Sequence, residues 1–165
     1  FHRVIECLPE LSKRFPGLRY LIVGGASAEG DWSERLRQQV ADLKLESSVV
    51  FLGAMPSERL KIPLSAANVF VLSTRNEGWA NVFLEAMACG LPVVTTKVGG
   101  NAEVVAHPSV GSLVEFNDAA ALQQAVDDAL NKQWDVSAII AYAKENSWDK
   151  RVSILKNEFS NVYKN

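Results

Sequence analysis

Apolar residues recur at helical spacing from the start of the chain: Val4, Ile5, Leu8 and Leu11 fall on one face. Phe15-Pro16-Gly17 ends that run, and residues 18–23 follow as a short, strongly apolar stretch of strand length. Gly24-Gly25 lets that strand turn tightly. Asp31 with Glu34 then forms a capping box ahead of a helix that buries Leu36, Val40 and Leu43. Residues 49–52 make a second strand, Pro56-Ser57 opens a helix reaching residue 66, and residues 69–72 make a third strand. That third strand is apolar throughout, as a strand covered on both faces must be. A helix over residues 81–89, stopped by Gly90 and Pro92, leads to a fourth strand at 92–95. A short helix follows Gly100, and residues 111–114 are the fifth strand. The remainder is helical. Asn117-Asp118 caps a helix whose face is Ala119, Leu122, Ala125, Val126, Ala129 and Leu130. Another helix covers 135–145, and the last starts at Asn146 or Ser147 and runs to Tyr163, with Trp134 and Trp148 as packing anchors. Strands alternating with helices imply an α/β domain with a parallel sheet wound on both sides and a helical C-terminus. Ligands of such sheets bind at the carboxyl ends of the strands.

At 165 residues the chain has the length of one domain, residues 1–165, with no repeat or internal linker. A formal charge of −2 and the lack of a Lys/Arg cluster argue against a nucleic-acid partner. No apolar run approaches the ~20 residues of a membrane span, and no signal peptide is present. Cys7 and Cys89 are too few for a metal site and read as reduced thiols of a cytoplasmic protein.

The stretch that carries chemistry is residues 77–103. Glu77 and Glu85 stand eight positions apart, with Gly78-Trp79-Ala80-Asn81 following the first. Eight residues of helix would leave the pair off a common stripe, so Glu77 reads as a loop residue and Glu85 as one turn inside a helix starting near Asn81. A glycine-containing loop entering a helix N-terminus presents backbone N–H groups to an anion. Carboxylates beside such a site suit a ligand that also carries hydroxyls, such as a ribose or a sugar. The glycines at 24–30 lack the Gly-x-Gly-x-x-Gly spacing of a dinucleotide-binding dehydrogenase, which argues against that class.

The string Glu77-x7-Glu85, then Glu85-Ala86-Met87-Ala88-Cys89-Gly90-Leu91-Pro92-Val93-Val94, then Val98-Gly99-Gly100 and Glu103, resembles the donor-binding segment of retaining family 4 (group 1) glycosyltransferases. More loosely, the resemblance extends to Leu21–Gly25, Val50–Gly53, Ala67–Ser73 and Ser147-Trp148. It implies one Rossmann-like half of a GT-B fold that binds a nucleotide-sugar. Glu85 would accept hydrogen bonds from both ribose hydroxyls. Glu77 would contact the donor sugar near the reacting carbon and oppose oxocarbenium-like charge. Asn81 and Val82 would offer backbone N–H groups to the pyrophosphate, Gly78 would permit close approach, and Gly99 and Gly100 would shape the turn facing the cleft. Glu103 would pin that turn, and Arg75 and Lys97 stand in loops at the cleft edge. Such enzymes lack an enzymic nucleophile and are described by front-face substitution, so the two glutamates are not a glycosidase pair.

The resemblance also implies a strand ahead of Phe1, in the middle of the sheet, bearing an Arg and a Lys for the pyrophosphate. Without it the core should have a seam. The implied activity is transfer of a hexosyl unit from a UDP- or GDP-linked donor to a glycan or lipid-linked acceptor. No cofactor or metal is called for. The acceptor would be bound by a separate N-terminal domain, and residues 1–165 alone should be inactive. The expected setting is the cytoplasm, with peripheral association at the inner membrane face. A GT-B nucleotide-sugar epimerase domain and a non-catalytic binding module are the alternatives.

Overall fold

The structure is a computed structural model and describes residues 1–25, 30–78 and 81–162. Trp79 and the Tyr163 end of the last helix lie outside the described residues. The elements in order are α1 (His2–Arg14), β1 (Tyr20–Val23), α2 (Ser33–Asp42), β2 (Val49–Gly53), α3 (Ser57–Ala66), β3 (Phe70–Leu72) and α4 (Asn81–Ala88). Then come β4 (Val93–Thr96), α5 (Asn101–Val104), β5 (Gly111–Val114), α6 (Ala119–Asn131), α7 (Val136–Glu145) and α8 (Trp148–Val162). All strand pairing is parallel: β1 with β2, β3 with β4, and β4 with β5.

The residue pattern explains the layering. Every residue of β4 is buried, and successive side chains of a strand point to opposite faces. Val93 therefore joins the cluster of Phe83, Met87 and Ile139, which α4 and α7 supply. Val94 joins the cluster of Val4, Leu11, Leu122 and Val126, from α1 and α6. A third cluster, with Ile5, Leu8, Ile22, Leu36 and Val49, seats β1 and β2 under α1 and α2. Helices thus cover both faces of the parallel strands.

The strands form two sheets rather than one, β1-β2 and β3-β4-β5. Between β1 and β3 lies an apolar cavity of about 720 Å³. Tyr20, Leu21 and Val23 line it from β1, and Phe70, Val71 and Leu72 line it from β3. Val4 and Leu8 of α1 and Leu60 and Leu64 of α3 also reach it. The expected seam is therefore present, at the place a strand would occupy. It also explains why β3, apolar in all three residues, is only half-buried.

Three local expectations change, at Asp31, at Trp148 and at Leu43, which is exposed rather than buried. Asp31 caps by accepting from the Ser33 N–H at 2.9 Å, so the helix starts two residues after it and no box with Glu34 forms. Asp118 caps α6 as expected, accepting from the Ala121 N–H at 2.8 Å, and Asp135 caps α7 in the same way. Trp134 is anchored, its indole N–H donating to the Ala129 carbonyl at 2.8 Å. Trp148, by contrast, is 62 % exposed, at the start of a helix none of whose described side chains is buried.

Cys7 shows how tightly α1 is packed. Its thiol donates to the Arg3 carbonyl at 3.3 Å. Burial, with a smaller push from Glu6, raises its pKa from 9.0 to about 11.

Two outcomes follow from this packing. Backbone amides of β4, paired on both sides, will exchange with solvent more slowly than those of β1 and β3 that face the cavity; hydrogen-exchange mass spectrometry or NMR reads this directly. Equal protection in β3 and β4 would mean the cavity is closed in solution. For Cys7 the folded pKa lies above the unfolded one, so its contribution is full below about pH 9 and is lost as pH rises through about 11. The stability gap between wild type and Cys7→Ala, from urea midpoints, will narrow over that window.

Candidate functional site

Parallel pairing sends every carboxyl strand end to the same edge. There the Gly24 N–H donates to the Gly53 carbonyl at 3.0 Å, joining the ends of β1 and β2. The ends of β3 and β4 lead into residues 73–78 and 97–100, and these two loops touch. The Gly100 N–H donates to the Gly78 carbonyl at 3.0 Å. Gly99 lies in the left-handed region at φ +49, and a Cβ there would fall on the carbonyl of Glu77. Any larger residue would drive the two loops apart.

Glu77 is half-buried in the loop after β3, and Gly78 beside it is exposed. Asn81 opens α4 and Glu85 is its fifth residue, one turn in, as the spacing implies. Asn81 and Glu85 are four apart and share a helix face. Phe83, Ala86 and Met87 point the other way, into the core against α7. Among the described residues, neither the Glu77 nor the Glu85 carboxylate has a hydrogen-bond or ion-pair partner. Both acceptors are therefore free for a ligand. Val82 is half-buried and faces the cavity beside β3. The amides of Asn81 and Val82 belong to the first turn of α4, where intrahelical acceptors are lacking.

The other end of α4 is fixed by packing. Gly90 takes φ +82, and a Cβ there would lie 2.6 Å from a Val136 methyl group of α7. The α5 turn is held from the same side, where the Tyr142 hydroxyl donates to the Val104 carbonyl at 2.9 Å. Helix α7 thus braces both α4 and α5.

The sequence singled out Gly99, Gly100 and Glu103 in this turn but passed over Asn101. Asn101 is fully buried, while Glu103 is exposed and its side chain has no partner among the described residues. The Asn101 amide donates to Thr96 O at 2.9 Å and to Thr95 Oγ1 at 3.2 Å. Those threonine hydroxyls donate in turn to Leu72 O and Thr74 O, each at 2.7 Å. A polar Thr-Thr pair closing an otherwise apolar strand was the available signal. Ser73 Oγ, Thr74 Oγ1 and Asn101 Oδ1 are buried here without a partner among the described residues.

Positive charge at this edge is sparse. Arg75 is exposed in the loop after β3. Lys97 pairs with Glu115 at 3.7 Å, an exposed contact of little energetic weight. Among the described residues no group of His, Cys, Asp and Glu side chains could hold a metal ion, and no helix is long and apolar enough to cross a membrane.

The chain is 37 % identical over 134 residues to the GDP-mannose-dependent alpha-(1-6)-phosphatidylinositol monomannoside mannosyltransferase of Mycolicibacterium smegmatis, covering 77 % of this chain and 34 % of that one. It thus spans about a third of that relative's length. Among solved structures it resembles sucrose-phosphate synthase from Thermosynechococcus elongatus, with TM-score 0.75, 28 % identity, 98 % of this chain and 43 % of that chain covered. It also resembles the Anabaena HepE protein in complex with UDP, with TM-score 0.74, 27 % identity and coverage of 99 % and 45 %. The two-faced parallel arrangement is that of one half of a GT-B glycosyltransferase. Residues 1–146 match the family "Glycosyl transferases group 1", and the chain belongs to that family.

Proposed function

We propose that this chain is the donor-binding domain of a retaining glycosyltransferase of family 4. It would take a UDP- or GDP-linked sugar and pass a hexosyl unit to a glycan or lipid-linked acceptor held by another domain. The observation that carries this reading is the meeting of three elements at one sheet edge. These are the Glu77 loop, the N-terminal turn of α4 bearing Glu85, and the Gly99-Gly100 turn locked against Glu77-Gly78.

Each part has a chemical task in this reading. The Glu85 carboxylate would accept from the two ribose hydroxyls through its two oxygens. The Asn81 and Val82 amides, with the positive end of α4, face the pyrophosphate. Glu77 lies beyond them in the loop, where its charge opposes the positive charge that grows on the anomeric carbon as the leaving phosphate departs. In the front-face course that the resemblance implies, attack by the acceptor from the side of the leaving phosphate would keep the anomeric configuration of the donor. The relatives support the class of donor: one is named for its dependence on GDP-mannose and another was solved with UDP. The work would take place in the cytoplasm, with the acceptor at the inner face of the membrane where it is a lipid.

Thermal unfolding with UDP, GDP, ADP and NAD tests the site. One nucleoside diphosphate will raise the melting temperature, a ligand at 100 times its dissociation constant adding about 2.7 kcal/mol. Glu85→Ala will abolish the shift, while NAD will have no effect. A cooperative transition unmoved by every nucleotide would defeat the reading. Glu77→Gln should leave the nucleotide shift intact and, assayed together with the acceptor-binding domain, lower sugar transfer by about 100-fold or more, as loss of a charge acting in the transition state does. NMR of the glycosidic linkage formed will show the donor's configuration; an inverted product would exclude the retaining course.

A further inference from the structure

We infer that Asn101 is the positioning residue of the donor site, holding the Glu77-Gly78 loop in place before any ligand arrives. The inference rests on the reading of that loop as the donor site. Asn101 is a short polar side chain sealed from solvent, a location that costs free energy unless its donors are used. Its amide uses them on the end of β4, at Thr96 O and Thr95 Oγ1. Thr96 O also accepts from the Val98 N–H at 2.9 Å, which closes the turn into Gly99. From the same two threonines, hydroxyl bonds cross to Leu72 O and Thr74 O at the end of β3.

The result is a short polar lattice between two strand ends. On one side, residues 72, 74, 77 and 78 enter the loop that carries Glu77. On the other, residues 95, 96, 99 and 100 enter α5. Asn101 joins the second set to itself, and the threonine hydroxyls and the Gly100 N–H join it to the first. Regular β3–β4 pairing stops at Leu72 and Thr95. Past that point no ladder holds the Glu77 loop, so its position depends on these side-chain and turn bonds. The Asn101 amide donates to Thr95 and Thr96 rather than to Glu77 or Glu85, so it acts on the donor through the loop.

The test pairs amide exchange with nucleotide binding in four variants of the protein, under conditions where each is fully folded by near-ultraviolet circular dichroism. Asn101→Ala removes the hub. Thr96→Val removes one cross-strand bond at nearly constant shape, and Thr96→Ser keeps its hydroxyl. Val40→Ala loosens the core under α2, away from the loop. Exchange at the Gly100 N–H should speed up at least about tenfold in Asn101→Ala and Thr96→Val, relative to β4 amides, and stay unchanged in the other two. The dissociation constant for the preferred nucleoside diphosphate should rise in the same two variants only. Wild-type exchange at Gly100 in Asn101→Ala, or acceleration in all four in proportion to lost stability, would overturn the inference. A wild type that binds no nucleoside diphosphate would overturn the donor-site reading instead, and the Gly100 exchange rates would still decide whether Asn101 holds the loop.

Discussion

Parallel strands that are buried on both faces impose one constraint from which the rest of this structure follows. Each crossover must place a helix on one face or the other, and each strand must finish at the same edge. β4 meets the constraint most fully: all four of its residues are buried, Val93 toward α4 and α7 and Val94 toward α1 and α6. Apolar side chains fill its faces until the edge is reached, and there Thr95 and Thr96 change the chemistry from packing to hydrogen bonding. The site begins where the hydrophobic demand ends.

The same constraint makes the gap between β1 and β3 meaningful. Both strands carry apolar residues on their facing sides, yet no ladder bonds join them. An apolar cavity near 720 Å³ forfeits dispersion contacts along all its walls. Clusters on each side still connect through α1, which contributes Val4 and Leu11 to one core and Ile5 and Leu8 to another. Alternate faces of this single helix therefore hold the two sheets in a common layer. The candidate site draws mainly on the three-stranded sheet, in which β4 is paired on both sides.

Much of this was legible in the residues. Periodic runs located α1 and α6, the Pro56-Ser57 opening located α3, and Glu85 was placed inside α4 because Asn81 and Gly90 bound that helix at both ends. The strand ends were less legible, since side-chain alternation says little about where a ladder stops. Asp31 misled because several N–H donors of the first turn compete for its carboxylate: it accepts from the nearest, at Ser33, rather than reaching across a box. Trp148 misled because its apolar ring signals burial without saying against what. Asn101 was passed over for a related reason. Next to two glycines it reads as an ordinary turn residue, and only the fold shows it sealed from water between two strand ends.

The charge distribution at this edge has a further consequence. In the proposed reading a nucleoside diphosphate would bring negative charge to a place where, among the described residues, Glu77 and Glu85 are unpaired carboxylates and Lys97 is partnered by Glu115. Among the described side chains at this edge, exposed Arg75 is the cation left to meet the pyrophosphate. What remains on the chain is directional: backbone N–H groups of the α4 first turn, fixed dipoles whose cost of ordering was met on folding. Fixed dipoles attract an anion only when aimed, whereas a mobile lysine can follow its target. That is why small geometric features, a glycine that admits the Glu77 carbonyl and an asparagine that ties the α5 turn to the end of β4, carry so much of the site in that reading. In a cationic pocket they would be details; at this edge, alignment substitutes for charge.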